Sequence, residues 1–259
     1  MKMIDGLLAQ MEVVYALALR ETRTRFGMNR LGYLWAVVEP TLFILTFFLA
    51  FWLAGREAPA GMTQFSFTAT GVIPYLIFNN TTNQVAESIN GNKALLFYPQ
   101  VTPIDVVLAR TFLEFVTYTG VLILLLGIES LFRQQLTVDE PLLVLMGLVF
   151  ASFFGWALGM IFCGLGQLSP AVDRARGSFM RPFFWVSGIF FTAAGLPPTV
   201  REIFLYNPVL HAVELTRAGF YVRYDETYAD PTYVATAVLP MLLLGLVLLR
   251  SVRRKIEVG

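Results

Sequence analysis

Apolar positions gather into six runs separated by short polar stretches: Tyr33 to Ala54, Phe65 to Asn79, Val106 to Ile128, Pro141 to Gly164, Phe183 to Leu196 and Tyr233 to Leu249. A helix needs about 20 apolar residues to cross a hydrocarbon core of about 30 Å. The pattern predicts an all-α membrane protein of six transmembrane helices, the second and fifth weakly marked. The fifth run holds only about 14 residues and cannot cross alone at about 1.5 Å per residue. It leads into Pro197 to Arg217, a segment too polar to span, punctuated by Leu196-Pro197-Pro198 and Tyr206-Asn207-Pro208. A helix ending inside the membrane is predicted there, with re-entrant helices between spans five and six. Broken elements of this kind are tolerated only against protein or along a water-filled path. The pattern therefore points to a conduit.

Ahead of the first run, Ile4, Leu7, Leu8, Met11, Val14, Tyr15, Ala18 and Leu19 recur at helical spacing, with Asp5, Glu12 and Arg20 elsewhere on the wheel. This predicts an amino-terminal amphipathic helix lying along the membrane interface, serving as a gate or docking surface or simply as an anchor. The whole chain, 1–259, reads as one transmembrane domain. Residues 1–32 are the amphipathic helix, 33–250 the six-span bundle and 251–259 a basic tail.

Composition supports this: 56% hydrophobic and 14% charged residues exclude a soluble domain with an ordinary surface. Lys and Arg fix the orientation, because cytoplasmic segments retain positive charge. With six spans, 14 of the 19 fall on the side of the two ends. Both termini are therefore predicted to be cytoplasmic, with Pro198 and Arg223 outside. The net charge of +1 carries no nucleic-acid signal. The first 32 residues lack a signal-peptide pattern, so the first span is expected to act as the insertion signal. Cys163, the single cysteine, excludes an intramolecular disulfide and a thiolate metal cluster, and reads as a packing residue.

No Gly-x-x-x-x-Gly-Lys-Ser/Thr loop occurs, so ATP hydrolysis belongs to another polypeptide. The only histidine, His211, stands in His211-x-x-Glu214-x-x-Arg217, which lacks the second histidine of a zinc motif; Glu214 and Arg217 are spaced to pair with each other or with a symmetry mate. No metal site and no catalytic residue is assigned. Glu39, about six residues into the first span, is costly facing lipid, by about 2.5 to 3.5 kcal/mol, and should face the bundle or a lumen, with Arg181 as a candidate partner. Arg110 and Glu114 are spaced to neutralise each other. Two faces mix aromatic and polar groups and suit sliding sugars, whose C–H faces stack on rings: Glu39, Phe43, Thr46 and Phe47 on span one, and Phe184, Ser187 and Phe191 on span five.

Between spans two and three, Asn90-Gly91-Asn92 marks a turn before the apolar patch Leu95, Leu96, Phe97 and Tyr98; Pro99 and Pro103 bracket Gln100 and stop any helix. Such a knob either has a partner or packs on the bundle. Ser169-Pro170 starts a short cytoplasmic helix, and Thr137 to Pro141 is a short outside connector. No internal repeat is visible, which makes a homodimer the economical expectation.

Five ordered blocks resemble a known family: Arg20-x-x-Arg23-x-Arg25-Phe26, Leu31-Gly32-Tyr33-Leu34-Trp35 through Glu39-Pro40, Leu96-x-Tyr98-Pro99-Gln100-Val101-Thr102-Pro103, Arg181-Pro182 with Ser187-Gly188-Ile189-Phe190-Phe191, and Asn207-Pro208 through Glu214-Leu215-x-Arg217. They are similar to the ABC-2 type permeases of polysaccharide exporters, the Gln-Val-Thr-Pro element being closest to the capsule branch. The resemblance implies a homodimeric pore in the bacterial inner membrane, exporting lipid-linked capsular polysaccharide. It implies two copies of a separate ATPase that binds ATP and Mg, a periplasmic co-polymerase and an outer-membrane channel. It further implies that the amino-terminal helix is a gate, that Asn92 to Val101 is the ATPase-coupling element, and that Pro197 to Arg217, with Asn207, His211, Glu214 and Arg217, forms an extracytoplasmic gate. O-antigen and teichoic-acid permeases share this architecture; a drug or lipid exporter commonly carries a larger outside domain, and a glycan-metabolising membrane enzyme would need a paired-carboxylate or histidine site.

Overall fold

The computed structural model describes residues 2–26, 30–59, 61–98, 100–133, 138–222 and 224–258. Pro99, Thr137 and Arg223 lie outside the described residues. In chain order the elements are α1 (Lys2–Phe26), α2 (Arg30–Leu53), α3 (Gln64–Ala86), α4 (Ser88–Gly91), a 3₁₀ turn (Lys93–Phe97), α5 (Pro103–Arg133), α6 (Pro141–Leu168), α7 (Pro170–Val186), a 3₁₀ turn (Ala193–Gly195), α8 (Pro198–Phe204), α9 (Pro208–Phe220), a 3₁₀ turn (Glu226–Tyr228) and α10 (Pro231–Val258). Every α-helix from α5 onward starts on a proline, whose fixed φ suits a first turn and whose missing N–H is no loss there.

Among the described residues, four helical stretches are long and apolar enough to cross a membrane: Leu34–Leu53, Pro103–Phe132, Pro141–Leu168 and Glu226–Ser251, with mean hydropathies of 2.0, 1.9, 2.1 and 2.2. They correspond to the first, third, fourth and sixth apolar runs. The second run lies in α3, which extends on to Ala86 and is buried along most of its length. Its hydroxyls explain the weak apolar signal. Thr68, Thr70 and Thr82 donate to the carbonyls of Gln64, Ser66 and Phe78 at 2.7, 2.7 and 2.8 Å, so these polar side chains are satisfied within the helix and can be enclosed by protein.

The fifth run differs from expectation. Only Phe183 to Val186 of the run Phe183 to Leu196 is α-helical, and those residues end α7, which starts at Pro170 and passes through Arg181-Pro182. The presumed short cytoplasmic helix and the start of the apolar run are thus one helix. It stops because Gly188 takes a φ of 77°, a left-handed conformation that side chains rarely adopt, while the Ser187 hydroxyl donates back to the Phe183 carbonyl. A Cβ at Gly188 would also lie 2.6 Å from Leu210 Cδ1.

Helix α6 is the hub, packed against α3, α9 and α10. Its glycines admit neighbouring backbones directly: a Cβ at Gly155 would stand 2.7 Å from the Phe78 carbonyl oxygen of α3, and one at Gly147 2.6 Å from the Ala212 carbonyl oxygen of α9. Apolar burial separates helices poorly from lipid, so close approach through small residues is what selects these contacts.

Helix α1 turns polar groups toward the protein. Gln10 donates to Asp105 at 2.9 Å, Arg20 to Asn92 at 3.1 Å, and Glu21 pairs with Arg110 at 2.9 Å, while Arg25 pairs with Glu114. Arg110 and Glu114 therefore do not close on each other as their spacing suggested; each is claimed by α1. Leu8, Met11, Tyr15 and Leu19 face outward, the arrangement of a helix whose apolar stripe meets lipid. At the other end, α10 runs on as helix through the basic tail.

Candidate functional site: aromatic seam and buried arginine cradle

The two aromatic faces read from sequence do meet, though not as whole faces. Phe184 of α7 lies 5.9 Å from Phe43 and 5.6 Å from Phe47 of α2, with Phe190 at 5.0 Å from Phe47 and 5.1 Å from Phe184. These centroid separations are those of favourable edge-on and tilted pairs. Phe190 was not singled out from sequence; it enters because the Gly188 turn swings it back against α2. Arg56 donates to the Phe190 carbonyl and holds this return.

The remaining members of the two faces lie elsewhere. Phe191 packs on Phe204 of α8 at 5.6 Å. Ser187 is 0% exposed and accepts from Asn207 Nδ2 at 3.1 Å, so its hydroxyl is spent on the fold. Thr46 donates to the Leu42 carbonyl at 2.8 Å. Glu39 makes no ion pair with Arg181 and instead lines a cavity of about 470 Å³ among α1, α2, α3 and α5.

The four gate candidates converge around α9. Asn207 caps the helix, accepting from Val209 N at 3.0 Å, and donates to the Val186 carbonyl at 3.1 Å, so one side chain ties the end of α7 to the start of α9. His211 Nε2 donates to the Leu205 carbonyl at 2.8 Å and its Nδ1 accepts from Asp230 N at 3.2 Å. With both ring nitrogens engaged by backbone, the imidazole has no lone pair for a metal or a catalytic proton transfer.

Arg217 is 0% exposed and Glu214 1%. The guanidinium donates to the carbonyls of Phe191, Ile189 and Phe67 at 2.8, 3.3 and 3.4 Å, lies 4.1 Å over the Phe67 ring and pairs with Glu214 at 3.8 Å. Glu214 in turn accepts from Ala193 N at 3.1 Å and Tyr224 OH at 2.8 Å. The i,i+3 pair was legible in sequence; its real task is to satisfy the carbonyls that the broken segment 187–193 leaves exposed. The Tyr224 phenol, beyond α9, is pushed well above its ordinary pKa by burial. Sequence gave no sign of a further thread in which Tyr221 OH donates to Ser66 at 2.7 Å, Ser66 meets Thr63 at 2.7 Å and Thr63 donates to Glu129 at 2.5 Å, binding α9, α3 and α5.

The apolar knob is a 3₁₀ turn, with Phe97 80% and Tyr98 60% exposed. Leu95 is half-buried, Leu96 packs on the small core cluster around Val107 and Met160, and Gln100 is exposed. The knob is held from beneath: Arg176 of α7 pairs with Glu87 at 2.5 Å, and Gln167 donates to Asn90 at 2.9 Å.

Residues 12–221 match the ABC-2 type transporter family. The polysialic acid transport protein KpsM of Escherichia coli is 31% identical over 247 residues, 95% of this chain and 96% of that protein. The capsule polysaccharide export inner-membrane protein CtrC of Neisseria meningitidis serogroup B is 29% identical over 255 residues, 98% of this chain and 96% of its own. The O-antigen export system permease protein RfbA of Klebsiella pneumoniae matches less well, 24% identical over 194 residues and 73% of each chain. With helices as the regular structure and four membrane-length apolar helices among the described residues, and a family match running from within α1 to just past α9, the chain belongs to the ABC-2 type transporter membrane proteins, the permease partners of ABC ATPases.

Proposed function

We propose that the protein is the permease subunit of an ATP-driven exporter of capsular polysaccharide in a bacterial inner membrane. The observation that carries this reading is similarity over almost the full chain to capsule and polysialic acid export proteins, against a shorter and weaker match to an O-antigen permease. In this reading α3 and α7 complete six crossings, both termini are cytoplasmic, and α8 and α9 form re-entrant gate helices on the outer side. Two copies make the pore, and the Phe43, Phe47, Phe184 and Phe190 seam lies along the path of the lipid-linked glycan. Leu95, Leu96, Phe97, Tyr98 and Gln100 dock a separate ATPase carrying ATP and Mg; a periplasmic co-polymerase and an outer-membrane channel continue the route.

Deletion and complementation test the reading. Loss of surface capsule with glycan accumulating in the cytoplasm is the expected result. Loss of O-antigen with capsule intact would transfer the chain to the alternative class, and loss of glycan both inside and outside would indicate synthesis rather than transport. Cysteines at positions 198 and 255 in a Cys163→Ser background test the topology. Position 198 should react from the periplasm and position 255 only after the inner membrane is opened; the reverse pattern would overturn the orientation.

A further inference from the structure

The cavity among α1, α2, α3 and α5 is lined by Arg25, Trp35, Ala36, Glu39, Asn80, Gln84, Glu114, Thr117 and Tyr118. Its volume of about 470 Å³ falls in the range of small-molecule sites, about 300 to 1,000 Å³. Its wall is rich in unused hydrogen-bonding capacity. Thr117 Oγ1 is buried without a partner. The side chains of Glu39, Gln84 and Tyr118 make no hydrogen bond or ion pair with any described residue, and Asn80 spends only its Nδ2, on the Leu76 carbonyl at 3.1 Å. Glu39 is exposed and Asn80, Gln84 and Tyr118 are half-buried, so the Thr117 hydroxyl alone bears the full cost of an unpaired interior group, while the others present free polar capacity to the cavity. A hydrophobic run would have been the cheaper lining.

The charge is also informative. Arg25 is bonded to Glu114, which leaves the Glu39 carboxylate as surplus among the described residues. A surplus acceptor disfavours phosphate or a carboxylated sugar and favours groups that donate. A bare cation would leave most of the volume unfilled. Neighbouring hydroxyls on a ring both donate and accept, matching a mixed wall of carboxylate, amide, alcohol and phenol. The Trp35 indole and Ala36 supply an apolar flank for the C–H face of such a ring, whose slightly positive hydrogens meet the negative face of the indole.

We propose that this cavity is a binding subsite for one uncharged sugar residue, with Glu39 accepting from its hydroxyls and Gln84, Asn80, Thr117 and Tyr118 completing the set. It lies beside the aromatic seam and deepens the export reading, on which its biological use rests. The test uses the full-length chain in lipid nanodiscs with Cys163→Ser and a reporter, Gln84→Cys or, should that fail to fold, Thr117→Cys. The rate of labelling by a methanethiosulfonate is measured with maltohexaose, with an oligosialic acid hexamer and with inorganic phosphate. At about ten times its Kd the neutral oligosaccharide should slow labelling about tenfold by mass action, and the two anions should change it little. Adding Glu39→Gln should let the oligosialic acid protect, because the opposing charge is gone. Protection by anions alone in the Glu39 form, or by none of the three probes, would overturn the proposal, the latter leaving a water-filled recess. Surface glycan that persists after gene deletion would refute the export reading while leaving this binding measurement intact.

Discussion

Replacing Arg217 by Met tests whether the broken segment after α7 is held by one side chain. Methionine keeps much of the aliphatic volume but removes the guanidinium. Three carbonyls, of Phe67, Ile189 and Phe191, then lose a donor in a position with 0% exposure. Glu214 loses its cation while still accepting from Ala193 N and Tyr224 OH, so it stays in place as a poorly compensated buried charge. Breaking a buried pair from one side costs about 3 to 5 kcal/mol in soluble proteins. The orphaned carbonyls belong to the same event, so the upper half of that range is the better expectation. At about 2 to 4 °C per kcal/mol for a chain of this size, the thermal midpoint in detergent should fall by about 8 to 20 °C, read by intrinsic fluorescence. Glu214→Gln alone should cost less, because the neutral amide can remain beside Tyr224. The double variant should recover part of the loss of Arg217→Met, since the uncompensated charge is then gone. Arg217→Lys should be intermediate, as a compact ammonium cannot span three carbonyls on two segments as a planar fork does. A midpoint unchanged by Arg217→Met, or a double variant no better than the single, would refute the cradle as the support of this segment.

Gly155→Val should lower the yield of folded protein by overpacking where α6 meets the Phe78 carbonyl of α3, at a cost of about 1 to 3 kcal/mol or more, checked by size-exclusion recovery; wild-type recovery would mean that the helices can separate without loss. Phe97→Ser with Tyr98→Ser should cut co-purification of the ATPase by about tenfold or more while membrane levels hold, since both rings are exposed and Leu96 is better left in its core; undiminished co-purification would place the docking site elsewhere. Phe47→Ala, which removes contacts to Phe43, Phe184 and Phe190, should lower exported glycan at near-normal protein level, measured by capsule immunoblot against membrane abundance; a parallel fall in both would make the seam structural only.

What was legible in the sequence was whatever forms one long apolar helix. The first, third, fourth and sixth runs declare themselves because a helix long enough to cross a membrane must be apolar almost without interruption. Helix α1 was legible through its period, since Leu8, Met11, Tyr15 and Leu19 need one wet side and one apolar side. What faces protein was harder to read. Helix α3 hides behind hydroxyls that bond back to their own helix, and Arg110 and Glu114 look like a self-contained pair until α1 supplies Glu21 and Arg25. The misplaced fifth helix has a specific cause. The apolar run starts at Phe183, in the middle of a helix that carries Pro182 internally, while Ser187-Gly188, whose positive φ makes the true break, sits inside the run. The Glu214 and Arg217 spacing announced a pair, but only the return of 189–193 against α9 shows which carbonyls the pair serves.

The glycine contacts of α6 have a mechanical corollary. Where a backbone oxygen of α3 or α9 rests directly on a glycine of α6, the two helices are keyed together, and any sliding of one past the other drives atoms into main chain that cannot yield. Between α2 and α7 the rings of Phe43 and Phe47 meet that of Phe184, and flat rings can re-tilt against one another at small cost. A load applied to the protein would therefore be carried by α3, α6 and α9 as a stiff frame, and released as shear along the aromatic contact, which behaves as a bearing surface set into the side of that frame.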